Sequence, residues 1–266
     1  MKPGFRQELP IGHAVALGLL QGPTELLPIS SSGHTTLIPW LARWPYARLD
    51  PELRKSFEIA LHAGTAAALL LRPPTSRLSV RPSFLGPAVL PAVVAGYALG
   101  AQVERRFGTP ATIAAGLLAG SLAAIAAEMR PGKSRPGTEA GARDGLALGL
   151  AQALALMPGV SRSGATLTAA RARGFSREEA DRLSWVGGLP VIAGAALLRS
   201  TQLARGGLPR QQRLPLAVGA GSAFLSTLAS TRALPSNRRA ALLPACAAYR
   251  LALGLLAIGA MRDNTI

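Results

Sequence analysis

The sequence predicts an all-α integral membrane protein: about eight transmembrane helices plus two re-entrant helical hairpins, arranged as a single polytopic domain with an internal repeat whose expected relation is inverted. Three observations carry that prediction. Of 266 residues, 49% are hydrophobic and only 16% charged, against about 25% charged in an average soluble domain. Apolar stretches recur along the whole length, at 11–29, 57–71, 83–101, 109–127, 145–160, 183–198, 214–230 and 240–261. Several approach the roughly 20 residues that a helix needs to cross about 30 Å of hydrocarbon. Finally, a segment broken by proline, glycine and serine occurs twice, 131 residues apart.

The first stretch carries Gln21 and Glu25 and runs into Pro28 and a serine cluster, not into a small-residue cleavage site. It therefore reads as part of the mature protein and not as a signal peptide. The later stretches are rich in alanine and glycine, with Gly96/Gly100, Gly116/Gly120 and Gly145/Gly149 each four apart, a spacing that lets helices approach closely in lipid. The connectors at 43–55, 72–82, 102–108, 130–143, 199–213 and 232–239 are rich in arginine and proline. Because basic residues occur in nearly all of them, the positive-inside rule assigns no orientation. The formal charge of +16 would suggest nucleic acid on a soluble chain. On a membrane chain, arginines in connectors are topology signals and contacts for anionic headgroups, so no nucleic-acid partner is expected. A single cysteine, Cys246, excludes disulfides within the chain and cysteine-based metal sites.

The repeat is the most informative feature. LGLLQGPTELLPISSSGHT (17–35) lies over LGLAQALALMPGVSRSGAT (148–166) without a gap, with eight identities in nineteen positions. It divides the chain into halves of approximately 1–130 and 140–266. A backbone broken by Pro and Gly at membrane depth is tolerated only where it is buried in protein or lines a wet cavity. Two such segments in corresponding places point to a binding site between repeated halves.

The copies differ where charge matters: Glu25 stands over Leu156, His34 over Ala165, and Ser31 over Arg162. One copy supplies an acid and an imidazole, the other a guanidinium, as a composite site would require. Gln21 and Glu25 share a helical face one turn apart, and a carboxylate at membrane depth is by default a functional candidate; its structural alternative is an ion pair with an arginine. Ser30, Ser31, Ser32 and His34 offer hydroxyls, free backbone N–H groups and a base or acid that titrates near neutrality; a helix cap is the plainer reading of such serines. Ser161, Arg162, Ser163 and Gly164, after Pro158-Gly159, read as an anion cradle in which Arg162 presents a fork of donors to phosphate oxygens. Glu58 and His62 are four apart and suit either a metal pair or a structural pair. Arg250, after Tyr249, interrupts the last apolar stretch and needs a carboxylate, carbonyl or lipid phosphate.

At these residues the chain resembles the undecaprenyl-pyrophosphate phosphatase, or bacitracin-resistance, family. QGPTELLPISSSGH (21–34) is similar to its first signature and PGVSRSGAT (158–166) to its second, while FEIALHAGT (57–65), 175–195 and Tyr249-Arg250 also fit. The resemblance implies an integral phosphatase of the bacterial cytoplasmic membrane, with an extracytoplasmic active site. The reaction would convert undecaprenyl pyrophosphate to undecaprenyl phosphate and so recycle the lipid carrier for cell-wall synthesis. It implies catalytic roles for Glu25, Ser31, His34 and Arg162, and phosphate binding by Ser30, Ser32, Ser161, Ser163, Gly164 and Thr166. It also implies a divalent cation, Mg²⁺ or Ca²⁺, at Glu25 with Gln21, where Gln21 supplies one anionic ligand fewer than a glutamate would. The expected partners are a polyprenyl pyrophosphate and membrane lipids, with a homodimer as one form of assembly. The nucleophile stays open between Ser31, a water and a histidine, with His34 handling the proton if Ser31 or water attacks. A polyprenyl-phosphate transporter or flippase is the rival reading, because paired broken helices also build transporters.

Overall fold

The computed structural model describes residues 8–75, 80–130, 134–206 and 210–263. They form eleven α-helices: α1 (Ile11–Leu26), α2 (Ser31–Leu41), α3 (Pro51–Leu71), α4 (Pro82–Phe107), α5 (Pro110–Glu128), α6 (Ala142–Leu154), α7 (Arg162–Ala172), α8 (Arg177–Gly206), α9 (Arg210–Ala233), α10 (Ser236–Ala241) and α11 (Leu243–Arg262). Among the described residues the only β pairing is an isolated bridge between Arg135 and Phe175. Proline sets several starts: α3, α4, α5 and α11 each carry Pro in their first two positions, where its missing N–H costs nothing and its φ is already helical. Asp50 caps α3 by accepting from Glu52 N and Leu53 N at 2.9 and 3.3 Å.

Five helices, α4, α5, α8, α9 and α11, are long and apolar enough to cross a membrane. With 21 residues, α3 reaches about 31 Å, but its first half carries Glu52, Arg54, Lys55 and Glu58. Two of the apolar stretches behave differently. The 16 residues of α1 and 13 of α6 extend only about 24 and 20 Å. Each then packs against the short helix that follows, α1 on α2 and α6 on α7, giving a broken hairpin in each half.

The helices pair in a pattern that exchanges the halves. The α1 arm lies along α9 as the α6 arm lies along α4, while α3 packs on α8 and α5 on α11. Small residues make the first two contacts tight. A Cβ added to Gly18 would stand 2.6 Å from Ser222 Cβ, and one on Gly22 would stand 2.5 Å from the Ser226 backbone. Gly145 and Gly149 of α6 meet the carbonyls of Phe84 and Pro87 of α4 in the same way. Gly96 and Gly100 do not: their nearest neighbours are the Leu156 and Arg199 side chains, each at 3.9 Å. The apolar interior is divided among four small clusters instead of one large core, and many large apolar side chains, such as Leu71, Leu90, Tyr97, Leu122, Leu225 and Leu255, face outward. On a membrane chain that outer belt meets lipid.

One polar cluster fastens the second hairpin from outside. Asp144, in the first turn of α6, accepts from Arg135 at 3.1 and 3.2 Å, from Arg173 at 2.7 Å and from Gly141 N at 3.2 Å. Burial works to raise its pKa, but these donors more than offset it and hold the carboxyl below its ordinary value.

Candidate active site

Each hairpin is cut by the same local chemistry. Pro28 ends the first arm, whose last carbonyl-to-amide bond runs from Leu27 N to Pro23 O at 2.9 Å. The chain then turns through Ser30, held at φ 76°, a region that a residue with a side chain occupies only at a cost. There the Ser30 hydroxyl caps α2 by accepting from Gly33 N at 3.3 Å and lies 3.3 Å from Ser32 Oγ. In the second hairpin Gly159 takes φ 89°, Ser161 caps α7 through Gly164 N at 3.1 Å, and its Oγ lies 3.2 Å from Ser163 Oγ. The repeat read in the sequence is thus repeated in hydrogen bonds. Ser30 and Ser161 cap the two short helices.

The two breaks meet at Glu25, at the end of α1. Arg162, the first residue of α7, donates from Nη2 to Glu25 Oε1 at 3.2 Å. Ser31, the first residue of α2, donates its hydroxyl to Glu25 Oε2 at 3.0 Å. Ser163 Oγ donates to the Leu27 carbonyl at 3.4 Å, tying the second break to the first. From α3, His62 Nδ1 stands 4.0 Å from Glu25 Oε2 and 3.4 Å from Gln21 Nε2. The acid, the serine and the guanidinium expected from the two copies are therefore one cluster, and His62 joins them. The sequence had paired His62 with Glu58, one helical turn away; the structure turns it toward α1.

His34 is placed differently from the expectation. Its Nδ1 is 2.7 Å from the Ser30 carbonyl, which can only accept, so Nδ1 carries the proton and donates. That bond, one turn back along α2, turns Nε2 toward α11, where it accepts from the Tyr249 hydroxyl at 2.8 Å. The ring is almost fully buried (1% exposed), whereas Tyr249 is 44% exposed. The Ser31 hydroxyl accordingly addresses Glu25 and not His34. Thr166 is engaged elsewhere: its hydroxyl donates to Arg162 O at 3.0 Å and lies 2.6 Å from Ser184 Oγ of α8.

Several polar atoms here are buried with no hydrogen-bond partner among the described residues: Arg162 Nη1, Gln21 Oε1, and Nε and Nη1 of Arg250. Arg250 reaches in from α11, donates from Nη2 to Gly120 O at 3.0 Å and lies beside Gly164, where an added Cβ would stand 2.6 Å from its Nη1. Buried polar groups are normally satisfied, so the unused donor of Arg162 beside a carboxylate-bound serine, with the unused donors of Arg250 at Gly164 on the same short helix, suits an anion and attack upon it. In the sequence Tyr249 and Arg250 interrupt an apolar stretch and fit the family resemblance, but their partners His34 and Gly120 lie far away along the chain.

The profile of the family described as "Bacitracin resistance protein BacA" matches residues 14–256. An undecaprenyl-diphosphatase of Geobacter metallireducens is 42% identical over 229 residues, covering 79% of this chain and 82% of its own. One from Thermomicrobium roseum is 39% identical over 277 aligned positions, covering 92% and 96%. Another, from Acidiphilium cryptum, is 35% identical, also with 92% and 96% covered.

Proposed function

Because this chain belongs to the bacitracin resistance family, we propose that it is an integral membrane phosphatase hydrolysing undecaprenyl pyrophosphate to undecaprenyl phosphate and inorganic phosphate. Its place is the bacterial cytoplasmic membrane, with the site opening on the extracytoplasmic side, where the spent carrier must be recycled for cell-wall synthesis. The observation that carries this reading is the array Arg162–Glu25–Ser31, in which each broken hairpin contributes a group that the other lacks.

In this mechanism the pyrophosphate enters between the two breaks. Arg162 and Arg250 direct their unused donors at its oxygens and stabilise the charge that spreads over the transferred phosphoryl group. Ser31 attacks the terminal phosphorus; its proton passes to Glu25 Oε2, the oxygen that already accepts from it. The bond from that phosphorus to the bridging oxygen breaks, and undecaprenyl phosphate leaves with the bridging oxygen. Water then attacks the phosphoserine phosphorus, the bond to Ser31 Oγ breaks, that oxygen takes back the proton held on Glu25, and inorganic phosphate leaves. The His34–Tyr249 pair takes the proton of that water, since Nε2 is the nitrogen of His34 able to accept one.

A divalent cation fits the same place. The Gln21 amide oxygen is buried without a partner one turn before the Glu25 carboxylate, and hard oxygen donors of this kind suit Mg²⁺ or Ca²⁺. Gln21 and Glu25 would hold it. When bound, it would screen the pyrophosphate charge.

The test is phosphate release by the purified protein from undecaprenyl pyrophosphate in detergent. Release should be abundant for the wild type and reduced about 10²-fold or more in Glu25→Gln, which removes the proton acceptor. Equal release by the two would refute the phosphatase reading and leave a lipid transporter on this scaffold.

A further inference from the structure

We propose that Trp185 is a positioning residue that sets the plane of the Arg162 guanidinium, with the buried Asp181–Arg239 pair holding the indole in place. The proposal rests on the reading of Arg162 as a pyrophosphate-binding residue. Trp185 lies on α8 and is 0% exposed; Arg162 Cζ stands 4.8 Å over the centroid of its ring. A guanidinium carries all its N–H groups in its own plane, so contact through its face leaves every donor free. The hydrogen bonds here accord with such a contact: Nη2 donates to Glu25, and Nη1 is buried with no hydrogen-bond partner among the described residues. A carbonyl or second carboxylate in place of the indole would anchor Arg162 only by consuming a donor that the phosphate needs.

The other boundary of this recess is an absent side chain. Gly188, three residues after Trp185 and so on the same face of α8, leaves space that Arg162 fills. A Cβ added there would collide with Nη1 and stand 3.3 Å from Cζ. An indole face and a missing methyl, one turn apart, together leave a recess for a planar cation.

The indole is itself fixed from behind. Arg239 of α10 reaches the same ring, with Cζ 5.6 Å from its centroid. Arg239 spends its donors on neighbours: Asp181 at 2.6 and 3.2 Å, the Pro74 carbonyl at 2.8 Å and the Leu234 carbonyl at 2.7 Å. Asp181 also accepts from Ser236 at 2.6 Å. Asp181 stands one turn before Trp185 on α8, so this pair clamps the helix that bears the indole. Leu26, next to Glu25 in sequence, packs in the same cluster as Trp185. The contacts therefore run from Asp181 through Arg239 and Trp185 to Arg162, whose Nη1 is buried without a hydrogen-bond partner among the described residues.

The experiment compares Trp185→Leu, Trp185→Phe, Gly188→Ala and Arg162→Ala in the purified full-length protein. It reads kcat and KM with a polyprenyl pyrophosphate, affinity for inorganic pyrophosphate by calorimetry, and the unfolding temperature. Trp185→Leu should weaken pyrophosphate affinity and lower kcat/KM by about tenfold or more, the loss expected for a desolvated cation–π contact. Trp185→Phe keeps a ring face and should stay within about threefold of wild type. Gly188→Ala leaves the indole intact and crowds Nη1, the donor that Arg162 does not spend on Glu25, so it should reproduce the Trp185→Leu loss with a smaller fall in unfolding temperature than Arg162→Ala; it decides the matter if Trp185→Leu does not fold. Wild-type affinity and kcat/KM in Gly188→Ala would overturn the proposal, and the Arg162 reading would survive if Arg162→Ala still lost pyrophosphate. Undiminished pyrophosphate binding by Arg162→Ala would overturn that reading and the proposal with it.

Discussion

A serine hydroxyl becomes a useful nucleophile only beside a group that takes its proton, and Ser31 has that group in Glu25 at 3.0 Å. Ser31→Ala therefore separates two routes. If Ser31 is the attacking group, phosphate release should be almost abolished. Retention of more than about a tenth of wild-type activity, roughly 1.4 kcal/mol in barrier, would instead assign attack to water. Rapid quench of the wild type should trap phosphoserine in the first case. The candidates themselves were legible because Glu25, His34 and Arg162 interrupt apolar runs, where charge is expensive and conspicuous. Their partners were not. The base that faces Ser31 follows from a turn through Ser30 at φ 76°, and the partner of His34 is Tyr249, 215 residues away, which no local spacing reveals. Ser30 and Ser161 also accept the N–H groups that a broken helix exposes, a second task that leaves each hydroxyl its own proton to donate.

At the level of elements, the position of Glu25 depends on how closely α1 lies against α9. Gly22 stands three residues before Glu25, and the Ser226 hydroxyl donates to the Leu19 carbonyl across the same contact. Gly22→Ala places a methyl within 2.6 Å of Ser226 backbone atoms, so the helices must separate. Such overpacking typically costs about 1–3 kcal/mol. The unfolding temperature and phosphate release should both fall, whereas Gly12→Ala, which meets nothing within 4 Å, should change neither. Unaltered stability in Gly22→Ala would show that α1 is not held by this contact. Small residues four apart were readable as close packing, and Gly145/Gly149 behave so. Gly96/Gly100 have the same spacing and meet no backbone, because spacing specifies a smooth helix face and not what lies opposite it. Likewise, an apolar run does not declare whether it crosses or turns back. The repeat and its Pro–Gly breaks made the two hairpins legible; the pairing of α1 with α9 and of α6 with α4 needed the whole structure.

For the molecule as a whole, Arg162 and Glu25 join the two halves at the breaks through a largely buried ion pair, with side chains 16% and 10% exposed. In such a setting neither charge is cheap to strand. Arg162→Ala leaves a carboxylate without its guanidinium partner, the His62 ring standing 4.0 Å away, and Glu25→Gln leaves a guanidinium that keeps its contact with the Trp185 ring but loses its counter-charge. Either single change should destabilise the protein strongly, by about 3–5 kcal/mol in the range for a broken buried pair. Their combination strands neither group. The double variant should therefore be less damaged than the sum of the singles, with a coupling of about 0.5–3 kcal/mol in unfolding measurements. Catalysis should not share that rescue, because the double variant lacks both the proton acceptor and the phosphate donor. Stability regained while turnover stays lost would mark a pair that serves both folding and chemistry. Additive stability losses would mean that the halves are held together elsewhere, by the α1–α9 and α4–α6 contacts, and that Arg162 meets Glu25 for the reaction alone.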